Sequence, residues 1–210
     1  MAIPTKESLG SQTETQIRLH MTEEVYAAWG DEDVRSEWVD GEVILMSPSN
    51  IKHIFVARFL VVVMSIYATR KGLGEVLGPE LQVRFAKLRR RRVPDIVFID
   101  TAHLDQLLSN HFEGAPDLAI EIVSPDSVAR DWREKYLEYE QAGVREYWII
   151  DPMAERMEAY TLTDEKYKLI EVTGGIFHST VLTGLWFKPD WLWQDPLPDP
   201  IELLRELGVL

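Results

Sequence analysis

The chain has 210 residues, 46% of them hydrophobic, which suits one globular domain with a full core and at most a small added subdomain. Cysteine is absent, so a disulfide framework and a thiolate metal site are both excluded. Net charge is −13, with 35 acidic against 22 basic residues, so the surface as a whole repels nucleic acid and any contact with it must be local.

Residues 1–16 read as a polar, disordered lead-in without the apolar run of a signal peptide, and residues 17–210 as a single domain. The longest apolar run, Phe59 to Tyr67, is shorter than the ~20 residues a membrane span needs. The expectation is a cytoplasmic protein with no membrane contact. Met21 to Trp29 reads as a short helix with Thr22 placed to cap it. Glu37 to Met46 reads as a hairpin, because Asp40-Gly41 is a two-residue turn signal between apolar flanks. Ser47-Pro48-Ser49-Asn50 breaks the chain and offers a cap to the longest helical pattern, residues 51–71. Ile54, Phe55, Phe59, Val62, Val63 and Ile66 recur there at helical spacing. His53, in its first turn, is a surface or cap residue, or else an accessory group over an active site.

Strands follow at Glu75 to Leu77, Leu81 to Phe85 and Pro94 to Ile99. Between the last two lies the basic cluster Lys87-Leu88-Arg89-Arg90-Arg91-Arg92, which is either a solvated hairpin tip or a phosphate-facing loop. Residues 101–115 form a connector, with a short helix at Leu104 to Ser109. Leu118 to Val123 is a near-continuous apolar run, as expected of a central strand covered on both faces. Period-two alternation puts Asp95, Val97 and Ile99 on one face, and Ala119, Glu121 and Val123 on one face. An apolar strand rarely carries a carboxylate without a reason, because burying an unpaired charge costs several kcal/mol.

A helix from Asp126 or Ser127 to Ala142 comes next, with Gly143 as its C-terminal stop. Val128, Trp132, Lys135, Tyr136 and Tyr139 share one face, so Lys135 either packs inward or snorkels to the surface. Glu146 to Pro152 is a strand, and the order strand, helix, strand implies a parallel right-handed crossover. Arg156 to Leu162, Tyr167 to Val172 and Ile176 to Leu182 read as antiparallel strands extending the sheet. Trp186 to Trp193 is aromatic and either packs on the sheet or forms a dimer surface. Ile201 to Leu210 reads as a short helix.

Hydrolysis of a phosphodiester needs a metal to activate water and offset charge in the transition state. Magnesium takes one or two carboxylates plus waters and phosphate oxygens. Asp95 and Glu121 supply such a set only if their two strands pair with those residues near one another, and a backbone carbonyl at Ile122 or Val123 can complete it. A nearby lysine can orient or deprotonate the attacking water.

Pro94-Asp95 followed by Glu121-Ile122-Val123 is similar to the PD-(D/E)XK nuclease pattern, with Val123 where that pattern has its lysine. The longer string more specifically resembles the Uma2 family of restriction-endonuclease-like proteins, formerly DUF820. It comprises Val39-Asp40-Gly41-Glu42, Met46-Ser47-Pro48, Val93 to Phe98, Glu121 to Pro125, Asp131, Glu134-Lys135, Ala142 to Trp148 and Asp151-Pro152. The likeness spans residues 20–195. It implies an α/β (α+β) restriction-endonuclease-like fold: a mixed central sheet flanked by helices, extended by antiparallel strands at its C-terminal side. It implies Asp95 and Glu121 as metal carboxylates with Val123, Mg2+ or Mn2+ as cofactor, and Lys135 as a relocated lysine. Glu42 and His53 border this site, while Asp117, Asp126 and Asp131 read as turn and cap residues. The implied activity is a metal-dependent DNA endonuclease. The alternative is a catalytically inactive nuclease fold acting in binding or assembly. DNA, met by the Lys87–Arg92 segment, and a second copy of the chain in a homodimer are the expected partners.

Overall fold

The structure is a computed structural model that describes residues 19–29, 35–124 and 130–210, without the side chains at positions 130 and 131. The lead-in expected over residues 1–16 lies outside the described residues, as do Asp126, Ser127 and Val128. The chain divides into two compact units, residues 1–46 and 47–210.

In the first unit, β1 (Leu19–His20), α1 (Glu23–Trp29), β2 (Ser36–Val39) and β3 (Glu42–Leu45) follow in order. Thr22 caps α1, its hydroxyl accepting from the Val25 N–H at 3.3 Å. β2 and β3 form the expected hairpin, with Val39 opposite Glu42. Asp40 and Gly41 both have positive φ, 50° and 95°, the conformation a tight hairpin turn demands. Tyr26, Trp38 and Val43 make its small core.

The second unit opens with α2 (Ile51–Lys71), capped by Asn50 and stopped by Gly72 at φ 64°. Val56, Phe59, Leu60, Val63, Met64 and Tyr67 fall at three- and four-residue steps on its buried face. The face expected from the sequence is rotated from this: Ile54, Phe55 and Val62 are exposed. Apolar residues run nearly round the helix, so composition alone did not say which side is covered. By length and composition α2 could cross a membrane, yet half of its most apolar window is buried in the protein's own core.

After α2 come β4 (Gly74–Leu77), β5 (Val83–Phe85), β6 (Arg90–Arg92), β7 (Ile96–Asp100), β8 (Phe112–Glu113) and β9 (Leu118–Ile122). The expected connector helix is instead a 3-10 turn over Thr101–Gln106. A π-helical turn at Arg130–Lys135 leads into α3 (Tyr136–Ala142), then β10 (Glu146–Asp151), β11 (Arg156–Thr163) and β12 (Lys166–Leu169). β13 (Phe177–His178), β14 (Trp186–Phe187) and α4 (Pro200–Glu206) close the chain. The central sheet runs β12-β11-β10-β9-β7-β4. β9 and β10 are parallel and the other neighbours antiparallel, which gives the expected mixed sheet with an antiparallel extension. β13 does not join it, contrary to the expectation for 176–182, but pairs with β14.

β9 lies between β7 and β10 and is buried on both faces. Leu118, Ile120 and Ile122 join the core under α2 and α4, with Ile96, Phe98 and Trp148. Ala119 and Val123 join the opposite core with Val97, Ile99, Tyr139 and Tyr147. Phe187 packs on Trp148, so part of the C-terminal aromatic segment covers the sheet. Where β4 meets β7 the backbones touch: a Cβ on Gly74 (φ 150°) would stand 2.0 Å from the Ile99 carbonyl oxygen.

Candidate active site

The site is built at the end of the β7–β9 ladder. Ile96 and Ile120 form the last pair of the ladder, and the Asp95 N–H donates to the Ile120 carbonyl at 3.1 Å. Regular pairing stops at Pro94-Asp95, because proline has no N–H to give. The Asp95 side chain takes over: its Oδ2 accepts from the Ile122 N–H at 2.8 Å. That amide faces β7, whereas the Val123 N–H faces β10 and donates to the Ile150 carbonyl at 2.7 Å.

Glu121 is 2% exposed. Its Oε2 lies 2.8 Å from Lys135 Nζ, and its Oε1 accepts from the Tyr139 hydroxyl at 2.7 Å. Lys135 closes the π-helical turn and Tyr139 follows four residues later, so both reach one face of the segment. Lys135 is 1% exposed, so it packs inward and does not snorkel. The Val123 side chain sits in the apolar core with Tyr139 and Val144. The ammonium beside Glu121 comes from Lys135, at the end of the π-helical turn.

His53 is not a surface residue; it is 6% exposed. Its Nε2 lies 3.1 Å from Asp95 Oδ1. The surface reading failed because His53 projects inward from the first turn of α2 beside the buried Val56 and Ala57. Tyr139 is the site residue that the motif comparison missed. The signal was present, since it stands one turn beyond Lys135 on the same helical face. Glu42 lies on β3 in the first unit, where its side chain comes within 3.9 Å of His20.

The basic segment is largely engaged within the fold, which corrects its reading as an open phosphate-facing loop. Glu138 on α3 takes Arg90 Nε at 2.9 Å and Arg92 Nε and Nη2 at 2.8 Å each. Arg92 is fully buried, and Arg91 donates to Gln82 at 2.7 Å. Guanidinium forks suit such pairing, and three alternating strand residues cannot all face solvent. Lys87 and Arg89 remain exposed.

Asp117 is buried and ties distant segments together, where a turn or cap residue was expected. It accepts from the Asp100 N–H at 2.7 Å and holds His103 and Arg145 at 2.9 Å each. Asp126 is outside the described residues, as is the side chain of Asp131.

Among the described residues no three His, Asp or Glu groups assemble into a ready metal cage. The donor set still fits a hard divalent cation that keeps most of its waters, since one or two carboxylates suffice for magnesium. Every oxygen of Asp95 and Glu121 already has a protein donor, but each ionised carboxylate offers about four acceptor positions, which leaves room for a cation.

The model of the Uma2 family, described as "Putative restriction endonuclease", matches residues 23–190. No curated protein matches the chain. Among solved structures, a DUF820 protein from Anabaena variabilis ATCC 29413, described as a putative nuclease, superposes with a TM-score of 0.71 at 20% identity. The match covers 82% of this chain and 97% of that one, and it shows that the two share a fold. With its mixed sheet and the family match over most of its length, the chain belongs to the Uma2 family of restriction-endonuclease-like proteins.

Proposed function

We propose that the protein is a divalent-metal-dependent endonuclease that hydrolyses phosphodiester bonds in DNA, with Mg2+ or Mn2+ held by Asp95, Glu121 and the Val123 carbonyl. The observation that carries this reading is the burial of Lys135 against Glu121, on the strand whose Ile122 N–H donates to Asp95. A buried lysine–carboxylate pair is costly to build and gains little stability over an apolar pair, so its presence calls for another use.

The metal, when bound, supplies an activated water and neutralises charge on the phosphate. Asp95 holds its carboxylate in a fixed orientation through the Ile122 N–H. Tyr139 fixes Glu121 through Oε1. Lys135, beside Glu121, would position the attacking water or offset charge on the phosphate. The overall charge of −13 leaves DNA contact to local cations, of which Lys87 and Arg89 are exposed. The same reading favours a homodimer, because two copies bring two sites to the two strands of a duplex.

The second reading is a nuclease fold without catalysis. The observation favouring it is that both carboxylates are already satisfied by protein donors. Plasmid cleavage with Mg2+ or Mn2+ separates the two. Wild-type cleavage that disappears in Asp95→Ala and Glu121→Ala supports the endonuclease. Cleavage unchanged in both variants assigns the activity elsewhere.

A further inference from the structure

His53 is gripped at two points. Its backbone N–H donates to the Asn50 side chain at 2.9 Å, which caps α2. Its ring nitrogen Nε2 stands 3.1 Å from Asp95 Oδ1, with the two side chains 7% and 6% exposed. Nδ1 is buried and has no hydrogen-bond partner among the described residues. Native cores rarely leave such an atom unmatched. The ring is therefore turned for Asp95 at the expense of its own second nitrogen. With the proton on Nε2, the imidazole donates to Oδ1 while the Ile122 N–H donates to Oδ2.

From this geometry we infer that His53 is a positioning residue for Asp95. It holds the carboxylate in the orientation that a divalent cation needs. The inference rests on the reading of Asp95 as a metal carboxylate. An imidazole suits the task better than lysine or arginine. It gives a directed hydrogen bond without adding a permanent positive charge that would compete with the metal for the same oxygen. The two donors come from different elements, the α2 helix and the β9 strand. The side-chain torsions of Asp95 are thus fixed before any cation arrives, which lowers the ordering cost of binding.

The test uses the full chain and four proteins: wild type, His53→Gln, His53→Asn and His53→Leu. Mn2+ affinity is read by calorimetry, independently of cleavage, alongside thermal unfolding and plasmid cleavage. The glutamine amide can reach the place of Nε2, whereas the asparagine amide cannot. Mn2+ affinity should fall by roughly 10–100-fold in His53→Leu and His53→Asn, the usual cost of losing a partner behind a ligand, and recover in His53→Gln. The KM for DNA should be unchanged in all three. Equal Mn2+ affinity in wild type and the folded asparagine variant overturns the inference, and so does a glutamine variant as weak as asparagine. If leucine prevents folding, the two amides decide alone. A wild type that binds Mn2+ without cutting DNA defeats the nuclease reading and leaves the His53 comparison decisive. A wild type that binds no Mn2+ overturns both.

Discussion

Lys135 Nζ lies 2.8 Å from Glu121 Oε2, with both side chains almost sealed from water. Removing one partner of such a pair strands the other charge. Lys135→Met should therefore lower stability by about 3–5 kcal/mol, and the double change Glu121→Gln with Lys135→Met should recover most of the loss. Urea unfolding of the single and double variants measures this. Metal-dependent cleavage should be lost in every one of them. A Lys135→Met protein as stable as wild type would mean that water reaches the pair.

The arginine segment gives a contrast between fold and binding. Arg92→Met should destabilise the protein, because it leaves Glu138 without its main partner. It should hardly change the salt dependence of DNA binding. Lys87→Ala should do the reverse. If Lys87 meets a phosphate, the slope of log K against log salt should fall by roughly 0.9. Fluorescence anisotropy at several salt concentrations, run beside urea unfolding, separates the two effects.

Acid should loosen the contact between α3 and β12. Lys166 and the Tyr167 N–H hydrogen-bond Glu140 and hold its carboxyl below the usual 4.5. A carboxyl lowered in the folded state contributes stability that is fully present above the unfolded value and lost as pH falls through the folded one. Lys166 is raised above 10.5 by the same partner, so its share is present below 10.5 and lost as pH rises through the folded value. Glu140→Gln should flatten both arms of a stability–pH profile, measured as urea midpoints from about pH 3 upward. A wild-type profile equally flat at acid pH would show that this tie contributes nothing.

Gly74 cannot be replaced without moving β4. Its φ of 150° and the Ile99 carbonyl oxygen, 2.0 Å from where a Cβ would stand, make Gly74→Ala doubly unfavourable. The opposing atom belongs to backbone paired in the central sheet and has nowhere to turn. The expected outcome is a drop in thermal midpoint of more than about 5 °C, or failure to fold. A Gly74→Ala protein that melts with wild type would show that the β4 edge is loose.

The sheet was legible in the sequence because period-two alternation and apolar runs report burial directly, as β7 and β9 illustrate. Asp95 and Glu121 stood out for the same reason. Glu146 is the counterexample. It is a fully buried strand carboxylate that accepts from Trp148, the Thr180 hydroxyl and the backbone of Thr180 and Val181, and so anchors a loop. Nothing local in the sequence separates it from Glu121, since the difference lies in which distant donors arrive. His53 and the arginines were misjudged for a related reason. Residue type suggested exposure, while long-range partners, Asp95 and Glu138, drew them inward.

Glu138 sits one helical turn after Lys135, and its grip on two neighbouring strand arginines moors that stretch of helix laterally. How far Lys135 can shift is thereby limited by residues that touch neither Asp95 nor Glu121 in the contacts above. Natural variants that trim the arginine run should consequently be felt first as a misaimed ammonium, well before any loss of grip on a nucleic acid.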